Sequence, residues 1–271
     1  MAGRAPQARP RGRHALRSRA FADELVRDAG VRPGTLVLDL GAGAGALTRA
    51  LADARARVRA IELDPAALQR LETRFGADPR IEVIAGDATV LPLPTEPFTV
   101  VANLPFAAGT AILRRLLGDP RVPLSQFDAI VEWGLAAKRT AVWPSTVLGC
   151  TWGAWYELSL VRRVPRACFA PPPSVDAGVL RAVRREKPLV PPQDAPAYAA
   201  LLQRAFAARG PLDRVLPRAL VHRTALELGF DPHAAARDLD VRHWAELYAA
   251  VRSATPRPRA RGARRRTGSR R

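Results

Sequence analysis

Four apolar runs recur along the first 104 residues, each closing on or beside a carboxylate or an amide: TLVLDL (35–40), RVRAIEL (57–63), RIEVIAG (80–86, with Asp87 next) and FTVVANL (98–104). Segments with apolar residues at helical spacing follow the first two, ALTRALADA (46–54) and residues 65–75. Such runs need cover on both faces. A strand–helix–strand rhythm supplies it, so the pattern dictates an α/β fold whose sheet is mostly parallel, with helices on both sides. Further strands are expected at FDAIVEW (127–133), YELSLVRRV (156–164) and GVLRAVRR (178–185), the last two forming a hairpin at one edge. Beyond EKPLVPPQDAP (186–196) the pattern is helical only, over 197–209, 217–229 and 245–253, with Trp244, Leu247 and Tyr248 as core.

Charge divides the chain differently. Lys and Arg number 43 against 25 Asp and Glu, a net charge of +18. Residues 1–20 hold six arginines and no acid, and residues 257–271 hold eight arginines, which leaves about +4 for the body. Clustering at both ends points to a polyanionic partner met through phosphate contacts. The expected organisation is a basic arm (1–20), an α/β domain (21–186), a small all-helical domain (187–255) and a disordered Arg-rich tail (256–271).

Several function classes are set aside by what the chain lacks. No apolar run approaches the ~20 residues of a membrane helix, and no apolar stretch follows the basic N-terminus as in a secretory signal. Cys150 and Cys168 are the only cysteines, and His14, His222, His233 and His243 are scattered without ligand spacing. The expectation is a cytoplasmic protein with no disulfide, no metal site and no membrane contact.

The chemistry sits at the strand ends. LDLGAGAGALT puts Asp39, Gly41, Gly43 and Gly45 at the first strand-to-helix turn, where glycines admit a close ligand and the helix start offers free N–H groups. Read alone, this turn suits a dinucleotide, and Glu62 at the second strand end would accept from ribose hydroxyls in either case. Asp87 at the third strand end can accept from an adenine amine while the Ala88 N–H reads a ring nitrogen. Three carboxylates on one rim suit a sulfonium better than a pyrophosphate, so S-adenosylmethionine is favoured over NAD. The fourth strand ends on Asn103, Leu104, Pro105 and Phe106. Asn103 Oδ1 and the Leu104 carbonyl can take the two hydrogens of an adenine N6 amine, Pro105 stiffens the corner, and Phe106 offers an extruded base a face.

DLGAGAG, IELD, GDA, NLPF and CFAPPPSVDAGVL (168–180) together resemble the rRNA adenine-N6 methyltransferases, in order and at suitable spacing over roughly residues 12–255. NLPF, VEWGLAAKR (131–139) and the Arg-rich tail are more similar to the Erm branch, which modifies 23S rRNA and confers macrolide–lincosamide–streptogramin B resistance, than to the 16S rRNA dimethyltransferases. The resemblance implies a Rossmann-like methyltransferase sheet, a helical RNA-binding domain, S-adenosylmethionine as cofactor, ribosomal RNA as partner and a monomer. It would place Gly41, Gly43 and Gly45 around the methionine part, with His14 and Leu16 helping to hold the cofactor. Glu62 would lie at the ribose and Asp87 with Ala88 at the adenine, and Leu63 would also touch the cofactor. Asn103 would hold the target amine, Phe106 and Phe169 would lie against its base, and Arg9, Arg11, Arg13, Arg264, Arg265 and Arg266 would meet RNA phosphates. Where the family usually has Gln-Asn-Phe-Leu or Gln-His-Phe-Leu, this chain has Arg13-His14-Ala15-Leu16, a departure at the N-terminal wall of the cofactor site that leaves three readings: weaker cofactor binding, an altered target, or another way of building the wall. The other readings are a non-catalytic RNA-binding relative and a nicotinamide-dependent oxidoreductase, which has no use for Asn103–Phe106.

Overall fold

The structure is a computed structural model that describes residues 14–254 apart from Arg209. In chain order its elements are β1 (Ala15–Leu16), α1 (Arg19–Asp28), β2 (Leu36–Leu40), α2 (Ala46–Asp53), β3 (Arg57–Glu62), α3 (Pro65–Phe75), β4 (Ile81–Ala85), β5 (Phe98–Asn103), α4 (Gly109–Leu117), β6 (Leu124–Glu132), α5 (Trp133–Thr140) and α6 (Val147–Gly153). There follow β7 (Tyr156–Val164), β8 (Phe169–Ala170), β9 (Ala177–Arg184), α7 (Ala195–Ala207), α8 (Arg218–Leu228) and α9 (Val241–Ala254).

Among the described residues seven strands form one sheet in the order β4-β3-β2-β5-β6-β9-β7. Strands β2 to β6 are parallel, and β9 runs antiparallel to both β6 and β7. Because β2 pairs with β3 on one side and β5 on the other, connections leave it in opposite directions. A crevice opens at such a reversal, outside the carboxyl ends of the strands. The expected edge hairpin is β9–β7, with β7 outermost.

Every residue of β2 is buried, as a strand covered on both faces requires. Side chains alternate between two cores. Val37, Val58 and Val101 pack with Phe21 and Leu25 of α1, Leu47 and Leu51 of α2, and Leu71 and Phe75 of α3. Leu36, Leu38, Val100 and Ala102 face the other way, onto Ile112, Leu113 and Leu116 of α4. That second cluster runs on through Trp152, Trp155 and Tyr156 to Tyr198, Leu202, Trp244 and Leu247 of the C-terminal helices, so apolar packing is continuous across the expected boundary at 186. Tyr248 is also buried, in keeping with its expected core role.

The N-terminal boundary differs from expectation. Helix α1 starts inside the stretch assigned to the arm, capped by Ser18, whose Oγ accepts from the Phe21 N–H. Just before it, Ala15 and Leu16 pair antiparallel with Ala170 and Phe169 in a second, two-stranded sheet. A two-residue strand is too short to show periodicity, and its partner lies far along the chain, between β7 and β9.

Candidate active site

The site starts at the turn between β2 and α2. Gly41, Gly43 and Gly45 all have positive φ (75°, 57° and 77°), a region that side chains rarely enter. Their tasks differ. At Gly41 a Cβ would lie 3.3 Å from Pro105 Cδ, so its bareness lets the first turn meet the corner after β5. A Cβ on Gly43 would find nothing nearer than the Gly41 carbonyl at 3.8 Å, so this half-buried residue is not crowded. Gly45, expected against the ligand, instead leaves room for Phe75 and Leu71 of α3, whose side chains a Cβ would approach to 2.5 and 2.9 Å. It serves helix packing.

The carboxylates at the strand ends are held in distinct ways. Asp39 is 1% exposed, and Thr48 Oγ1 donates to its Oδ2 at 2.7 Å. Burial pushes its carboxyl up to about 7 despite that bond, and the nearby charge of Glu62 adds to the rise. Glu62, expected to meet ribose, is buried and organises the backbone. Gly43 N–H donates to its Oε2 at 2.8 Å, while Leu63 and Asp64 N–H donate to Oε1 at 2.8 and 2.7 Å. Leu63 itself is 60% exposed on this rim, an apolar surface suited to a ligand ring. Asp87 accepts from both the N–H and the hydroxyl of Thr89, which hold its carboxyl below the usual range.

A residue without an assigned role fixes the next segment. Arg115 of α4 donates to the carbonyls of Ala88 and Leu91, tying down the loop that carries Ala88. Nothing in the spacing of GTAILRRLL marks this arginine; only the fold brings it under the loop.

The corner after β5 completes the arrangement. Asn103 Nδ2 donates to the main-chain carbonyl of His14 at 2.8 Å. Its Oδ1 is buried, and among the described residues it has no hydrogen-bond partner. Leu104 N–H donates to the Ile130 carbonyl at 3.1 Å, and the Pro105 carbonyl accepts from Ala108 N–H at 2.9 Å, which sets the corner. Phe106 is half-buried with the His14 imidazole against it, ring centroids 5.5 Å apart. His14 Nδ1 lies 3.0 Å from the Pro171 carbonyl, so this residue bridges the corner and the β8 segment.

A cleft gathers Leu16, Asp39, Gly41, Gly43 and Asn103, with Ala15 and Ala42 among its other walls. The N-terminal wall is therefore present in spite of the departures at Arg13 and Ala15, with small Ala15 lining the cleft directly. Phe169, expected to touch a base, is 1% exposed in the core beside Leu16 and Phe21. It supports the β1–β8 pairing and is closed to a ligand. Arg9, Arg11, Arg13, Arg264, Arg265 and Arg266 lie outside the described residues. Among the described residues no group of three or more His, Cys, Asp or Glu side chains is set to hold a metal, and no helix is long and apolar enough to cross a membrane.

Bare glycines at the mouth and an apolar rim at Leu63 fit an adenosine-bearing sulfonium better than a phosphate ligand, which would face the Glu62 carboxylate.

Comparison with known proteins gives the same direction. A family model described as ribosomal RNA adenine dimethylase matches residues 8–251. The chain is 37% identical to the mycinamicin-resistance protein MyrB of Micromonospora griseorubida, over 95% of this chain and 86% of that protein. It is 33% identical to ribosomal RNA small subunit methyltransferase A of Synechococcus sp. (strain JA-3-3Ab), over 91% of this chain and 93% of that protein. The solved structure of the 23S rRNA methyltransferase ErmE is similar with a TM-score of 0.77 and 28% identity, covering 88% of this chain and 99% of that one.

Proposed function

Since this chain belongs to the ribosomal RNA adenine dimethylase family, we propose that it methylates N6 of an adenine in the peptidyl-transferase loop of 23S rRNA and so confers macrolide–lincosamide–streptogramin B resistance. It is an S-adenosylmethionine-dependent rRNA adenine-N6 methyltransferase. The observation that carries the site assignment is Asn103: its amide nitrogen is committed to His14, which leaves a buried oxygen that accepts from nothing among the described residues. An acceptor removed from water in this way costs about 1–3 kcal/mol, and a donor arriving with the substrate relieves it.

S-adenosylmethionine, when bound, supplies an electrophilic methyl group on a cationic sulfur. Gly41, Gly43 and Leu16 would line its methionine part, Glu62 and Leu63 the ribose, and Asp87 with Ala88 the adenine. The residues of the corner act on the acceptor base. Asn103 Oδ1 takes one N6–H and the Leu104 carbonyl the other, which favours a pyramidal nitrogen whose lone pair leaves conjugation with the ring and faces the methyl. Fixed dipoles aimed this way need no reorganisation at the moment of transfer. Phe106, propped by His14, stacks on the extruded base, an interaction of ~1–3 kcal/mol. No general base is needed before transfer, because the protonated product loses its proton to water.

The 23S assignment over 16S rests on the greater identity to the mycinamicin-resistance protein and on the likeness to the 23S enzyme ErmE. The near full-length match to a small-subunit methyltransferase is what favours the alternative. Primer extension on both rRNAs from cells expressing the chain tests it. A stop confined to the peptidyl-transferase loop of 23S rRNA is expected, and a stop only in 16S rRNA overturns the assignment.

A further inference from the structure

The rim that carries Asn103 continues across the sheet. Strand β7 runs parallel to β6, because both are antiparallel to β9 that lies between them. The ends of β6 and β7 and the start of β9 therefore share the edge on which β5 ends. At that edge three residues form a stack that the methyl-transfer chemistry does not use.

Trp133, the first residue of α5, is held flat against the start of β9. Its main-chain N–H donates to the Asp176 carbonyl at 2.8 Å, and a Cβ on Gly178 would stand 2.9 Å from the indole Cε3. Only a residue without a side chain lets the indole lie there. Over the ring sits Arg163, its guanidinium carbon 4.3 Å from the centroid, an arrangement that holds the planar cation through ring electrostatics and dispersion. Arg163 Nη1 donates to Asp176 Oδ2 at 3.0 Å. Arg166 donates to the same carboxylate through Nε at 3.3 Å and to the Ser174 carbonyl through Nη2 at 3.0 Å.

One acid thus serves two arginines, and the cluster keeps one positive charge. Arg163 remains 63% exposed and Arg166 53%. The neighbouring Arg162 shows the opposite arrangement: Glu24 and Asp28 both face it at 2.9 and 3.3 Å, so its charge is more than matched within the chain. Three interstrand spacings separate β7 from β5, which puts Arg163 about 14 Å from the Asn103 corner. Nucleotides flanking a base extruded at Asn103 would pass over that part of the rim.

We propose that Arg163, stacked on Trp133 and oriented by Asp176, binds a phosphodiester of the RNA strand flanking the target adenine. The inference rests on the rRNA reading above. Contacts of this kind fix the register of the strand without reading its sequence.

The test uses the full chain and a transcript of the rRNA segment that the native enzyme methylates, with affinity followed as a function of KCl. Each phosphate contact contributes about 0.7–0.9 to the slope of log affinity against log salt. Arg163→Gln is expected to make the slope shallower by that amount and to raise KM for RNA. Its kcat and its S-adenosylmethionine affinity by calorimetry should stay native. Arg163→Lys should recover most of the slope. As a control, Arg121→Gln removes a comparably exposed arginine, paired with Asp119 ahead of β6 at the far end of the sheet, and should change nothing. A native slope in Arg163→Gln, with native enzyme active on the transcript, overturns the inference alone. Native enzyme that neither binds nor methylates RNA overturns the rRNA reading, and the inference falls with it.

Discussion

The side-chain amide of Asn103 is fastened to the backbone carbonyl of His14, 2.8 Å away and 89 positions earlier in the chain. This bond decides which end of the amide is free. Nitrogen is used up on the protein, so oxygen is the end left for the substrate under the proposed role. A family of expected outcomes follows from that orientation.

Asn103→Ala removes the acceptor and leaves the glycine turn and the strand-end carboxylates in place. Methyl transfer to rRNA should fall by about 10²-fold or more, the size of loss seen when one preorganised polar partner of a transition state is deleted. Calorimetry with S-adenosylmethionine should still show binding. Turnover retained within a few-fold of native would contradict the role given to Oδ1.

Phe106 and Phe169 should separate cleanly. Phe169 is 1% exposed and Phe106 is half-buried beside His14. Phe169→Ala is expected to lower unfolding free energy by about 3–5 kcal/mol. Phe106→Ala should leave stability nearly native and lower kcat/KM for RNA by the ~1–3 kcal/mol of one stacked base. Chemical denaturation and steady-state kinetics on both variants check the pair. A large stability loss at Phe106 would move it into the core.

The glycines of the first turn should also behave differently. A methyl at Gly45 would meet Phe75 and Leu71 at 2.5 and 2.9 Å on a backbone with φ of 77°, so Gly45→Ala should destabilise the chain by about 2–4 kcal/mol. Gly43→Ala meets no such crowding. Its strain is confined to the positive φ, about 1–2 kcal/mol, and its main effect should be weaker cofactor binding, read by calorimetry.

Asp39 gives a pH signature. Burial holds its carboxyl near 7 in the folded chain, against 3.8 when exposed. Between those values the folded state keeps a proton that the unfolded chain has released, so this group's contribution to stability is fully present below about 4 and is lost as pH rises through about 7. The slope is up to about 1.4 kcal/mol per pH unit. In Asp39→Asn that slope should vanish, and the variant should gain on the native protein steadily from pH 4 to pH 7. Parallel stability profiles for the two proteins would rule the effect out.

Much of the fold was readable because its strands announce themselves. TLVLDL, RVRAIEL and FTVVANL are apolar runs ending on polar groups, and parallel strands buried on both faces leave that trace. Asp39, Glu62, Asp87 and Asn103 came with them, since a side chain at a strand end falls on the crevice rim by topology alone. What stayed hidden depends on distant pairing. Leu16 and Phe169 belong to strands of two residues, below any periodic signal, so Phe169 looked available to a base. Gly45 stands in the same motif as Gly41 and Gly43, and only the position of α3 shows that it yields space to a helix. Arg115 and the Trp133–Arg163 stack are likewise products of which elements become neighbours.

The pairing of β1 with β8 makes the opening segment of the chain the fourth side of the cleft. Trimming the protein as far as Arg17 would spare every group at the strand tips and most of the buried apolar surface. The remainder would lose the Leu16 cover on Phe169 and, even where it still folds, would leave Asn103 without its tether to His14 and the proposed transfer site open to bulk water.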